Sequence, residues 1–236
     1  MSDYRNIVIL TGAGISAESG LATFRGPEGL WEGHRVEDVA TPEAFRRDPV
    51  LVQRFYDARR ARLAEVVPNA AHLALARLDA EWTGELLIVT QNVDDLHERA
   101  GARRLLHMHG ELKSAWCVKC DARNRWDGTL GDAPPCPTCG VAGGLRPDIV
   151  WFGEMPYGME RIDAALARAD LFVSIGTSGA VYPAAGYVRT AQHFGADTLE
   201  MNLDPSEGSV WFQETRLGAA GALVPAWVGE VLSGVV

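Results

Sequence analysis

The chain has 236 residues, 47% of them hydrophobic, which is enough apolar surface for one main domain with a sizeable core and a smaller insertion. Its formal net charge of -9 excludes broad attraction to nucleic-acid phosphates, because that needs a concentrated basic face. The first apolar run covers only residues 7–10, too short for a signal-peptide core or a membrane span, so no membrane partner is expected and a cytoplasmic location is.

That first run, with those at 86–90, 171–175 and 198–202, has the length and bounding residues of a buried parallel strand. Helix-like stretches at 42–65, 69–82, 159–169 and 182–194 lie between them, which predicts an alternating α/β sheet. Directly after the first strand stand Gly12, Ala13, Gly14 and Ser16, a glycine pattern that removes side chains where a backbone approaches a pyrophosphate. A tight turn without ligand is the alternative. No second strand with a ribose-holding acid follows, as a simple dehydrogenase would require; instead a loop carries Phe24, Arg25 and Trp31 and is suited to covering a cofactor.

On the 42–65 stretch, Tyr56 and Arg59 are three apart and share a helix face. A phenol and a guanidinium side by side suit a carboxylate, whereas a solvated basic face is the plainer reading. The strand at 86–90 ends in Gln91, Asn92, Val93 and Asp94, a polar cluster at the carboxyl end where open α/β sheets bind ligands, or alternatively a set of helix caps. His107 and His109 follow, spaced so that an extended strand points both to one face; one of them is a candidate general base.

Cys117, Cys120, Cys136 and Cys139 form two Cys-x-x-Cys pairs at zinc-ribbon spacing and are the only cysteines in the chain, which leaves none for disulfides. Four thiolates close the coordination shell, so the expected Zn2+ is structural, and the segment 113–145 needs it to fold because it has few apolar residues.

Taken together, these motifs resemble the sirtuin family from Thr11 to Pro225, and most of all the bacterial members of the class that includes the mitochondrial desuccinylase and demalonylase. The resemblance rests on the run from Gly12 to Gly20, Thr23 to Arg25, Gln91 to Asp94, His109-Gly110, the four cysteines, Gly176 to Ser178 and Asn202 to Asp204. It implies a Rossmann-like parallel-sheet domain (1–30, 84–112 and 146–236) with a smaller domain made of a helical insertion (31–83) and the zinc-ribbon module (113–145).

NAD is the implied co-substrate. Gly12, Ala13, Gly14, Ser16, Phe24, Arg25 and Trp31 would surround its pyrophosphate and nicotinamide ribose, and Gln91, Asn92, Val93 and Asp94 its ribose and carboxamide. Gly176, Thr177, Ser178, Asn202, Leu203, Asp204 and Ala220 would hold the adenosine half. Val150, Trp151, Phe152 and Gly153 resemble the segment that pairs with a substrate peptide as an extra strand.

His109 and Asn92 are the implied catalytic residues, with His109 as base on the ribose hydroxyls, and Tyr56 and Arg59 face the acyl end. The expected partners are acyl-lysine proteins or peptides, with no specific nucleic acid, and the expected state is a monomer. The expected reaction removes acetyl, succinyl and malonyl groups and releases nicotinamide and O-acyl-ADP-ribose. Mono-ADP-ribosyl transfer, a zinc-ribbon binding module and a hydride-transferring dehydrogenase are the competing readings. Two positions depart from the family pattern: Val93 stands where isoleucine is more common, and Asp204 where glutamate is frequent.

Overall fold

The computed structural model describes residues 4–23 and 33–234. In chain order the elements are β1 (Asn6–Thr11), α1 (Gly14–Ala17), α2 (Val36–Val39), α3 (Pro42–Arg47), α4 (Pro49–Arg62), α5 (Ala70–Glu81), β2 (Glu85–Thr90), α6 (Leu96–Ala100), β3 (Leu105–His107), β4 (Gly110–Cys117) and β5 (Arg123–Arg125). There follow β6 (Leu145–Ile149), α7 (Met159–Leu166), β7 (Leu171–Ile175), α8 (Tyr187–His193), β8 (Asp197–Asn202), β9 (Glu214–Leu217) and α9 (Ala220–Ser233).

All pairs in the six-stranded sheet, ordered β3-β2-β1-β7-β8-β9, are parallel. Its central strands β1, β2 and β7 read as near-continuous apolar runs because both faces are covered. Ile7, Ile9, Leu86, Ile88, Leu171 and Val173 enter one core, and their neighbours Val8, Leu10, Leu87, Val89 and Phe172 enter the core on the other face. The period of two along each strand produces this split.

The four expected strands are present, each extended by at most two residues, and β3 and β9 join them. α9 escaped sequence reading because Pro225 and the glycines at 221 and 229 mask a helix. Its buried residues Val224, Trp227, Val228 and Val231 follow helical spacing and pack on the sheet. α5, grouped by sequence with the 31–83 insertion, instead contributes Ala71, Leu75 and Leu78 to that same core.

The single helix expected over 42–65 is two helices and a final 3-10 turn. Asp48 sits before Pro49, whose ring disfavours helical backbone in the preceding residue, and it adopts φ -144° and ψ 80°. The Asp48 carboxylate then accepts the Leu51 N–H at 2.9 Å and starts α4. Helices α2 to α4 pack Val39, Val52, Phe55 and Tyr56 against Leu112, Ile149 and Trp151, which places the insertion over the second sheet, an antiparallel β5-β4-β6. Beneath the cysteines lies a core of only Ala115, Cys117, Leu130, Cys136 and Leu145.

Candidate active site

The order of the large sheet reverses direction between β1 and β7, and in doubly wound sheets ligands bind outside the carboxyl ends of the strands at such a point. The turns leaving these two strands touch. Gly12 N–H donates to the Ile175 carbonyl at 3.0 Å and Gly14 N–H to the Gly176 carbonyl at 2.8 Å. A Cβ at Gly12 would lie 2.7 Å from the Gly176 oxygen, and one at Gly14 would lie 2.7 Å from the Gly176 Cα. These glycines are therefore required by each other's backbone, and their spacing alone did not reveal that.

Gly176 has φ +62°, and a Cβ there would meet the Ile15 nitrogen at 2.5 Å. Gly176→Ala is expected to destabilise the fold by about 3 kcal/mol or more, since both strain and backbone collision oppose it. Urea unfolding at equilibrium checks this, and a loss below about 1 kcal/mol would show that the turns yield freely.

A cleft of about 1020 Å³ opens over this point, and every candidate site residue within the described part of the chain, apart from His107 and the cysteines, lines it. Gly12, Ala13, Gly14, Ser16, Gln91, Asn92, Val93, Asp94 and His109 surround its centre. Gly176, Thr177, Ser178, Asn202, Leu203, Asp204 and Ala220 line it too, as do Tyr56, Arg59, Val150, Trp151, Phe152 and Gly153. Phe24, Arg25 and Trp31 fall outside the described residues.

The polar cluster after β2 is locked to the turn after β1. Asn92 Nδ2 donates to the Gly12 carbonyl and to Ser16 Oγ, both at 3.1 Å, and Ser16 Oγ donates to Asp94 Oδ2 at 3.0 Å. Asp94 Oδ1 also accepts the Leu96 N–H at 3.1 Å, just before α6, whose N-cap is Asp95. Burial pushes the Asp94 carboxyl up, against the bonds from Leu96 and Ser16. Across the switch point, Asn202 Nδ2 donates to the Thr177 carbonyl at 2.7 Å, joining the ends of β8 and β7.

The two histidines do not share a strand face. β3 ends at His107, a turn through Met108 and His109 follows, and Gly110 with φ +82° starts β4, where a Cβ would lie 2.0 Å from the Asp148 carbonyl oxygen. His107 turns away from the cleft and bonds the Asn92 carbonyl at 2.9 Å and Glu98 at 2.6 Å. Burial opposes its charge, but Glu98, the Asn92 carbonyl and Glu111 together outweigh burial and raise the His107 pKa.

His109 Nδ1 lies 3.2 Å from the Gln91 carbonyl oxygen, an acceptor only, so Nδ1 carries the proton and Nε2 keeps its lone pair. Burial holds the His109 pKa below the ordinary histidine value, opposed by the Gln91 bond, and the ring is neutral near pH 7. His97 is wholly buried against Thr11 and His72, away from the cleft. Among the described histidines, His109 alone lines it.

At the insertion end of the cleft, Tyr56 is fully buried and its Oη accepts Trp151 Nε1–H at 3.0 Å. Burial keeps this phenol protonated. Arg59 lines the cleft one helical turn further on, with its guanidinium 5.7 Å from the Phe55 ring centre. The N–H groups of Val150, Trp151 and Phe152 bond the His109 carbonyl, Glu154 Oε2 and the Ala40 carbonyl within the chain. A peptide strand pairing with this segment would have to use other groups of it.

Sequence reading missed Glu18, whose carboxylate accepts the Gly221 N–H at 2.8 Å and ties the glycine turn to α9 at the cleft wall. It also missed Tyr182 and Ser206 in the lining. Glu18 lies within the Gly12 to Gly20 run without a role assigned to it, whereas no local motif marks Tyr182 or Ser206.

The four cysteine sulfurs lie within 4.8 Å of one another. Cys117 and Cys139 are 3.8 Å apart, and Cys120 and Cys136 3.9 Å. Zn–S bonds of about 2.3 Å set the edge of a tetrahedron at about 3.8 Å, so the set fits a zinc ion as it stands. Glu98, His107 and Glu111 also cluster, but His107 already has a partner on each ring nitrogen. No helix among the described residues is long and apolar enough to cross a membrane.

A family model described as "Sir2 family" matches residues 12–183. Similar curated proteins include an NAD-dependent protein deacylase of Bdellovibrio bacteriovorus, 57% identical over 97% of each chain. Another, from Shewanella oneidensis, is 57% identical over 98% of this chain and 96% of its own. Among solved structures, a Sir2 homologue in complex with NAD superposes with a TM-score of 0.89 at 37% identity, covering 99% of this chain and 92% of the other. A Sir2 protein with a p53 peptide and NAD+ superposes at 0.81 with 27% identity, over 99% and 95%.

Proposed function

Because the chain belongs to the Sir2 family, we propose that its NAD-dependent protein deacylase site accepts succinyl- and malonyl-lysine as well as acetyl-lysine. The observation that carries the acyl reading is that Tyr56 and Arg59, one turn apart on α4, line the same cleft as His109. A succinyl carboxylate can meet the Arg59 guanidinium in charge-assisted geometry, which a neutral acetyl group cannot do.

The glycine turns after β1 and β7, with Asn92, Asp94, Thr177 and Asn202, are the groups that would hold NAD in the cleft. Bound NAD supplies the ribose carbon from which nicotinamide is released. His109 then accepts a ribose hydroxyl proton at Nε2, since Nδ1–H is committed to Gln91 and the ring is neutral. Asn92 is fixed for its part by Gly12 and Ser16 and orients the groups beside that sugar.

Purified protein, NAD and one peptide carrying acetyl-, malonyl- or succinyl-lysine, with products followed by mass, test the reading. Turnover of the acidic acyl groups supports it; turnover of acetyl-lysine alone would refute the Tyr56/Arg59 assignment and leave the deacylase. Attachment of ADP-ribose to the peptide in place of deacylation would count against the lysine chemistry as well.

The cysteine module is assigned a structural Zn2+, because its five-residue core is too small to hold β4, β5 and β6 alone. A strong chelator is expected to release one zinc per chain and to lower the melting temperature by about 10 °C or more. Zinc released without any change in melting would remove the structural role.

A further inference from the structure

A ladder of rings and guanidinium planes runs from the cysteine module to the acyl end of the cleft. The Arg123 guanidinium stands 5.3 Å from the Tyr157 ring centre and 4.9 Å from that of Trp116, the residue before Cys117. Arg146 stands 4.9 Å from Trp116 on one side and 3.5 Å from Trp151 on the other. A guanidinium over an indole face is attracted by the ring's negative face, most of all where water is excluded. Both partners meet that condition, with Arg146 5% and Trp151 2% exposed.

Arg146 is also held in its plane. Its two terminal nitrogens donate to Glu154 Oε1 at 2.7 Å and Oε2 at 3.0 Å, and Nη2 donates to the Ile149 carbonyl at 2.7 Å. Glu154 Oε2 accepts the Trp151 N–H at 2.9 Å as well. Trp151 is thus gripped at its backbone by Glu154 and across its face by Arg146. The remaining polar atom of the indole, Nε1–H, donates to Tyr56 Oη.

A phenol oxygen that accepts a bond keeps its own O–H to donate, and the accepted bond limits where that O–H can point. We propose that Trp151 is a positioning residue for acyl selectivity: its indole N–H, held by the Arg146–Glu154 pair, sets the Tyr56 hydroxyl that works with Arg59 on acidic acyl groups. The inference rests on the reading of Tyr56 and Arg59 given above. It adds a determinant 95 residues away in sequence from Tyr56, on the loop that follows β6.

The test uses one peptide bearing succinyl- or acetyl-lysine with the wild-type protein, Trp151→Phe, Tyr56→Phe and the double variant. Trp151→Phe keeps a ring but removes the N–H. It is expected to lower the succinyl-to-acetyl ratio of kcat/KM about tenfold, mainly through KM for succinyl-lysine, and the double variant is expected to be no worse than Tyr56→Phe alone.

Additive losses in the double variant, or an unchanged acyl ratio in Trp151→Phe beside a lowered one in Tyr56→Phe, overturn this inference alone. An unchanged ratio in Tyr56→Phe itself overturns the underlying reading and this inference with it, so the two failures leave different patterns. If Trp151→Phe does not fold, Arg146→Lys is measured instead; it retains the charge but loses the plane stacked on Trp151. The same succinyl-specific rise in KM supports the proposal, and its absence overturns it.

Discussion

His109→Ala is expected to reduce kcat for peptide deacylation about a thousandfold, within the range that general-base catalysis ordinarily contributes, while the protein still folds. His109 is half-buried at a turn, and among the described residues its ring makes one hydrogen bond, to the Gln91 carbonyl, so its loss removes little packing. A variant retaining more than about a tenth of wild-type kcat would move the base elsewhere. His107 is a poor replacement, since both of its nitrogens are occupied and it faces Asn92 and Glu98 from outside the cleft.

The pH dependence follows with a definite sign. The base must be neutral, and burial depresses the folded-state pKa of His109 below its ordinary value of 6.5. Activity is then full at neutral pH and falls as pH drops through that lowered pKa, so the acid limb of kcat/KM lies below pH 6.5. An acid limb above neutrality, measured with the same peptide from about pH 5 to 8, would contradict the assignment of His109 as the essential base.

The second large effect is on acyl choice. Tyr56→Phe combined with Arg59→Met is expected to lower the succinyl-to-acetyl ratio of kcat/KM by about a hundredfold, because two hydrogen bonds to a carboxylate, one of them charge-assisted, contribute about 3 kcal/mol together. Both sites lie on α4, whose capped start at Asp48 does not involve the exchanged atoms; the double change gives up the Trp151–Tyr56 hydrogen bond and the Arg59 contact with the Phe55 ring. An unchanged ratio would sink the acidic-acyl reading and leave the deacylase intact. Malonyl-lysine should follow succinyl-lysine in direction, since the anion is the same group on a shorter arm.

Much of this molecule was legible in its sequence because the signals are local. Each expected strand is an apolar run buried on both faces, so it reads the same whatever its neighbours are. The cysteine pairs announce themselves by spacing, since a tetrahedron of thiolates demands two short turns brought together. The cluster from Gln91 to Asp94 was found because polar groups at a strand's carboxyl end are already placed at a site in this class of sheet.

Tertiary structure decided the rest, in each case through partners distant along the chain. Whether His107 or His109 faces the cleft depends on a turn whose Gly110 must approach the backbone of Asp148, on a strand beyond the cysteine module. The glycines at 12 and 14 answer to Gly176 across the switch point, a contact that no periodicity encodes. α9 is a helix because its apolar stripe has a sheet to cover, which outweighs the unfavourable propensity of Pro225 and two glycines. The indole of Trp151 meets the phenol of Tyr56 only after the insertion has folded onto β4 and β6. Residue type and spacing determine which chemistry a segment can carry, whereas the direction in which a side chain points is set by whatever packs against it.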